Sequence, residues 1–198
     1  MKKIAVVGLG YVGLPLLVKL SEFYDVLGFD IDQSRIFELK QGNDRTGEIN
    51  KDKLLNLNRA RYSSNIDDLK NNDVYIVTVP TPVDKAKHPD LKMIKNACSM
   101  IGNFLERNNI VVFESTVYPG ATREICVPIL ENASGLKLNN DFGVGYSPER
   151  INPGDKKHTI EDIIKITSGS DLETLLQVDQ IYKKIIKAGT HKVSSIEV

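Results

Sequence analysis

Cysteine is scarce in these 198 residues, tryptophan is missing, and neither charge sign is in surplus. Two cysteines, Cys98 and Cys126, exclude a disulfide-framed scaffold and fit a reducing compartment. Lysine plus arginine total 26, as do aspartate plus glutamate, so the formal net charge is zero. No basic excess exists to displace counterions from a nucleic acid, and nucleic-acid binding is not expected. His88, His158 and His191 stand alone without metal-ligand spacing, so no metal is expected either. No uninterrupted apolar run reaches the roughly 20 residues that cross a bilayer. Met1-Lys2-Lys3 and the uncharged stretch 4–18 imitate a signal peptide. Gly8, Gly10, Gly13 and Pro15 interrupt that stretch, however, and no small-residue cleavage pattern follows. A cytoplasmic protein without membrane contact is the expectation.

What is present is ordinary globular material, 41% hydrophobic and 26% charged, enough for one domain over 1–198. Two periods alternate along it. Short β-rich runs at 3–7, 26–30, 74–79, 110–114, 142–146 and 163–167 predict strands. Amphipathic stretches at 11–23, 33–41, 91–107, 122–131 and 172–188 predict helices between most of them. IAVVG, VYIVTV and IVVFES are apolar on both faces, as strands covered on each side by helices must be. The alternation predicts an α/β domain, a doubly wound and mostly parallel sheet with helices on both faces. Asp32, Asn50 and Asp90 precede helical stretches and read as N-caps. Cys98 falls in the apolar stripe of Ile94, Ala97 and Ile101, and Cys126 lies between Ile125 and Val127; both read as core.

Gly8-Leu9-Gly10-Tyr11-Val12-Gly13 follows the first strand and opens the first helix. In that context Gly8 permits the tight turn, Gly10 lets the backbone approach a pyrophosphate, and Gly13 lets the helix pack closely on the sheet. The helix amino end would then receive the phosphates. Asp30 ends the second strand, 20 residues beyond Gly10, where a carboxylate accepts hydrogen bonds from an adenosine ribose and repels a 2′-phosphate. NAD, not NADP, is the expected cofactor. Arg35 is either a cation that stacks on adenine or contacts the ribose, or a solvated helix charge. Ligands in such sheets sit beyond the carboxyl ends of the strands, and three of these ends are specific here. They are Val79-Pro80-Thr81-Pro82, Glu114-Ser115-Thr116-Val117-Tyr118-Pro119-Gly120, and Tyr146-Ser147-Pro148-Glu149-Arg150-Ile151-Asn152-Pro153-Gly154. Each alone reads equally well as a turn.

Together GLGYVG, VTVPTPVD, ESTVYPGAT and YSPERINPGD resemble the UDP-glucose/GDP-mannose dehydrogenase family, over the whole chain. The Ser-Pro-Glu-Arg segment followed by Asn-Pro-Gly is most similar to the bacterial branch acting on UDP-N-acetylhexosamines for capsule or O-antigen sugars. The resemblance implies a Rossmann-type fold with Tyr11, Val12, Asp30, Arg35, Thr81 and Thr116 at NAD. Val79 and Ser115, in the same strand-end loops, are counted with Gly8, Gly10 and Gly13 as cofactor-binding. It also implies a proton-handling and hydrolytic role for Glu149, a water-orienting role for Thr116, and a substrate contact for Arg150.

Such enzymes oxidise a sugar C6 alcohol twice, to the carboxylate, with two NAD in sequence. A thiolate traps the intermediate aldehyde. The resemblance places that cysteine, and a long central helix with a lysine and an asparagine, in segments that do not occur in this sequence. The expectation is the N-terminal domain of a longer, homodimeric enzyme, able to hold NAD but not to turn over by itself. A non-catalytic NAD(H)-sensing module and a β-hydroxyacid-type dehydrogenase are the alternatives.

Overall fold

The computed structural model describes residues 2–83, 88–149 and 160–197. Its spine is a sheet of eight strands in the order β3-β2-β1-β4-β5-β6-β7-β8. These are β1 Lys3–Val7, β2 Asp25–Phe29, β3 Ala60–Ser63, β4 Val74–Val77, β5 Ile110–Phe113, β6 Gly143–Tyr146, β7 Lys165–Gly169 and β8 Thr190–Lys192. The pairing of β1 with β2 and β4 is parallel, as is that from β4 through β5 to β6. The order reverses between β1 and β4, which opens a crevice above the carboxyl ends of those two strands.

Side-chain alternation along β1 divides the core between two faces. Ile4 and Val6 join Leu14, Leu17 and Tyr182 in one buried cluster, while Ala5 and Val7 join Ile94, Ile101 and Phe113 in another. Helices α1 Gly13–Leu20, α2 Gln33–Lys40 and the later α6 Leu172–Lys183 feed the first cluster. Helices α4 Lys92–Gly102 and α5 Val127–Ser134 feed the second, and the short α3 Lys51–Leu55 lies in the 42–72 region. Each large apolar side chain so buried contributes about 1.5–3 kcal/mol. Cys98 and Cys126 are core residues, as expected.

Asp32 caps α2 by accepting from Ser34 N and Arg35 N, and Asn50 caps α3 by accepting from Lys53 N. Asp90 works one position earlier than expected: its Oδ1 accepts from Lys92 N at 2.9 Å, and Leu91 is the boundary residue. The helix expected over 122–131 begins instead with a single wide π turn, Thr122–Cys126, and continues as α5. Pro128 has no N–H to give the carbonyl one turn back, so regular bonding is interrupted there. Gly135, at φ 73°, closes that helix in the left-handed conformation. The largest departure from the expected parallel arrangement is β7, which pairs antiparallel to β6. Its first residue, Lys165, therefore lies at the same end of the sheet as the last residues of β5 and β6.

Candidate functional site

The three glycines at the first strand–helix turn have three different surroundings. Gly8 has φ +99°, and its N–H donates to Phe29 O at 2.8 Å, tying the turn to β2. A Cβ on Gly13 would stand 1.9 Å from Gly8 O and 2.4 Å from Thr78 Oγ1, so only glycine lets α1 start there. Thr78 fixes the same spot by donating its hydroxyl to Gly8 O at 2.7 Å. A Cβ on Gly10 would meet nothing within 4 Å, because this residue faces open space. At the helix start Val12 supplies no side-chain cap, and the first turn carries no acid. The amino end of α1 therefore keeps its partial positive charge for an anion.

Asp30 emerges from β2 beside this turn. Its Oδ2 accepts from Leu9 N at 2.8 Å and its Oδ1 from Asp32 N at 3.0 Å. Two of about four acceptor positions on the carboxylate are thus used to shape the turn, and the others remain for ligand hydroxyls. Asp30 forms no ion pair among the described residues. The carboxylate borders a cleft of about 430 Å³, whose walls include Gly8, Gly10, Val79, Pro80, Met93 and Met100. Among the described residues no side chain caps the amino end of α1, and Tyr11 next to it is 52% exposed.

Arg35 is neither solvated nor a free stacking surface. It is 3% exposed, donates Nε–H to Leu9 O at 2.8 Å, and pairs Nη2 with Asp44 Oδ1 at 2.7 Å. The guanidinium is spent on bracing the glycine turn from below. Nη1 alone is buried with no partner among the described residues, a donor left over in a residue that borders the cleft. Asp44 also accepts from Thr46, Glu48 and Ile49 backbone N–H groups, so the loop after α2 is organised around one carboxylate. Arg45, on the rim, is held by Asp32 and Glu38 and reaches Ser34 Oγ.

The loops after β4 and β5 are latched together. Thr81 donates its hydroxyl to Thr116 O, and Ser115, buried, donates to Val79 O at 2.6 Å. Ser115 thus has its hydroxyl committed to this latch, whereas the Thr116 residue is exposed. On the far side of the same loop Glu114 is enclosed completely. Lys165 Nζ lies 2.7 Å from Glu114 Oε2, and the Tyr182 hydroxyl donates to Oε1. Burial pushes the Glu114 carboxyl up, the Lys165 charge draws it back, and the Glu149 charge raises it further. Burial, and then Glu114, push the Tyr182 phenol well above its ordinary value, so it is a donor. Glu149 completes the group, with Oε2 3.8 Å from Lys165 Nζ. Arg150 lies outside the described residues.

A glycine-cradled helix end, an aspartate at the next strand tip and Glu114–Thr116 beside Glu149 therefore share one end of the sheet. The family model for the NAD binding domain of the UDP-glucose/GDP-mannose dehydrogenase family matches residues 2–186. The chain belongs to that family. It is 55% identical, over 99% of its length, to a UDP-N-acetyl-D-glucosamine 6-dehydrogenase of Pseudomonas aeruginosa. It is 54% identical, over its full length, to Protein CapL of Staphylococcus aureus. It spans 46% of the length of each of these relatives. A solved UDP-D-ManNAc dehydrogenase from Pyrococcus horikoshii superposes with a TM-score of 0.90 at 30% identity, covering 98% of this chain and 47% of that one.

As the family's NAD-binding domain, the chain has a cradle that fits the group. Only glycine can occupy position 13, position 10 opens into the cleft, and unused acceptors of Asp30 stand beside both. Sequence reasoning missed Asp44, Lys165 and Tyr182. Asp44 had a local signal, an Asx-type turn ahead of Thr46 and Gly47. Tyr182 was hidden in an apolar helical stripe with Val178 and Ile185, and Lys165 depends on the antiparallel turn of β7, which no local pattern announces.

Proposed function

We propose that this chain is the cofactor half of a cytoplasmic, homodimeric dehydrogenase that oxidises the C6 alcohol of a UDP-N-acetylhexosamine to the carboxylate, for capsule or O-antigen polysaccharide. The observation that carries the reading is the shared strand end. The dinucleotide cradle and the Glu114–Glu149 group lie at the same end of the sheet, where Thr81 and Thr116 latch the loops after β4 and β5. The identity to a UDP-N-acetyl-D-glucosamine 6-dehydrogenase supports the acetamido-sugar class. Family membership leaves the β-hydroxyacid alternative without support.

In this reading the amino end of α1, with Gly8, Gly10, Tyr11, Val12 and Gly13, receives the diphosphate. Asp30 accepts from the adenosine ribose hydroxyls. NAD supplies the hydride acceptor for both oxidations. Val79 and Thr81 line the wall toward the reacting end, and Thr116 orients a water there. Glu149 takes up the proton released as the alcohol is oxidised and serves hydrolysis of the thioester. The thiolate comes from outside this chain's buried cysteines, since Cys98 and Cys126 lie in the core. Arg150 contacts the sugar nucleotide.

The whole protein, mixed with NAD and UDP-N-acetylglucosamine, UDP-N-acetylgalactosamine or UDP-N-acetylmannosamine, is expected to form NADH and the uronate with one of them. Formation of neither with any of the three would refute the reading and favour an NAD(H)-sensing module. Asp30→Asn is expected to weaken NAD binding about tenfold, roughly 1.4 kcal/mol, and to narrow the preference over NADP. It removes the charge that repels a 2′-phosphate. Calorimetric titration of both cofactors checks this, and an unchanged ratio of the two affinities would count against Asp30 as the ribose ligand.

A further inference from the structure

Where β5 ends and β7 begins, beside Tyr182 of α6, two carboxylates, one ammonium and one phenol of the described residues are shut in together. Glu114 is 1% exposed, Lys165 4% and Tyr182 not at all, and the Glu149 side chain is the outermost at 11%. Tyr146 closes the same end from β6, with its phenol raised by burial and by the Glu114 charge. Among the described residues, Lys165 is the ammonium that faces both carboxylates. A buried charge without a counter-charge is poorly tolerated, and this ammonium is a counter-charge that both acids face.

The placement of Lys165 is asymmetric. It touches Glu114 at 2.7 Å, donates to Pro148 O at 3.3 Å, stands 3.8 Å from Glu149, and lies over the Tyr182 ring at 5.5 Å. Glu114 is satisfied on one oxygen by the ammonium and on the other by the Tyr182 hydroxyl. The backbone is pinned next to this: Ser147 donates its hydroxyl to Ile166 O at 2.6 Å and its N–H to Phe113 O at 2.9 Å. One cation therefore bonds the peptide immediately before Glu149 and faces the Glu149 carboxylate, while anchored on an acid that solvent cannot reach.

We infer that Lys165 is a positioning residue for the reaction: anchored on buried Glu114, it holds the Ser147-Pro148-Glu149 segment in place and keeps Glu149 in charge balance. The inference rests on the reading of Glu149 as the proton-handling group. Glu114 is the anchor of the device and Tyr182 its second clamp; neither touches substrate.

The test uses the whole dehydrogenase and its rate as a function of pH. Loss of the cation favours the protonated form of a facing carboxyl, and loss of the neighbouring anion disfavours it. Lys165→Met is therefore expected to lower kcat at least roughly 100-fold and to move the acid limb of the kcat profile to higher pH. NAD affinity should remain within about threefold, and Lys165→Arg should restore most of the rate. Glu114→Gln, which leaves Lys165 to Glu149, should move the same limb to lower pH, and it carries the test if Lys165→Met does not fold. Limbs that stay put in both variants, or move in the same direction, overturn the inference. Glu149→Gln separates the two levels. Full turnover in that variant removes the role of Glu149 itself, whereas its loss together with unmoved limbs in the other two removes only the role of Lys165.

Discussion

Gly10→Val is expected to leave the melting temperature unchanged and to weaken NAD binding at least roughly 100-fold, about 2.7 kcal/mol. A Cβ at position 10 meets nothing within 4 Å, so the fold has room for a branched side chain there. It would project into the space that the diphosphate needs against the backbone. Gly13→Ala gives the opposite pattern. Its Cβ would stand 1.9 Å from a backbone carbonyl and 2.4 Å from Thr78 Oγ1, so the turn or the helix must shift. Overpacking of this kind costs about 1–3 kcal/mol, a fall in Tm of roughly 2–12 °C, and takes NAD binding with it. Calorimetric titration together with thermal melting separates the two variants. Wild-type NAD affinity in Gly10→Val would mean that the diphosphate lies elsewhere.

The second large effect is at the pair that braces this turn. The Arg35 and Asp44 side chains are 4% and 1% exposed and 2.7 Å apart. Asp44→Ala leaves a guanidinium buried without its counter-charge. That loss is expected to cost about 3–5 kcal/mol, or roughly 6–20 °C in Tm, by melting or urea unfolding. A loss under about 1 kcal/mol would show that the loop after α2 holds the turn without the ion pair. The same carboxylate gives a pH signature. Burial pulls the Asp44 carboxyl up, but hydrogen bonds from Thr46, Ile49 and Arg35 together outweigh that and hold it below the ordinary 3.8. A native value lower than the unfolded one means the stabilisation is complete above 3.8 and is lost as pH falls through the native value. Asp44→Asn should therefore flatten the acid side of the curve of stability against pH. Parallel wild-type and variant curves below the ordinary carboxylate range would contradict it.

The glycine turn and Asp30 were legible because their spacing is local chemistry. A strand tip, a tight turn and a helix amino end must follow one another within a few residues, and each requirement is met by a particular residue type. Buried Cys98 was legible from helical periodicity, and buried Cys126 from its apolar neighbours Ile125 and Val127. Arg35 was legible as a neighbour of the turn but not in its structural role. From sequence alone the choice lay between a cofactor-facing cation and a solvated charge, and burial beneath Leu9 O with Asp44 made it a brace. Asp44 lies nine residues away, across a loop whose path is set by that same carboxylate. Strands β3 and β8 went unread because they are short and partly exposed edges of the sheet, without the apolar runs that mark the central strands.

What the amino-acid order determined by itself was the alternation of strands and helices, the two-faced core and the glycine turn between the first strand and the first helix. All three follow from hydrophobic period and backbone freedom over short windows. Only the tertiary structure decided the direction of β7, and with it the meeting of Glu114, Glu149, Lys165 and Tyr182 from four separate segments. The physical reason is range. Backbone propensity acts between neighbours in sequence, whereas a buried acid finds its cation wherever packing of the sheet delivers one.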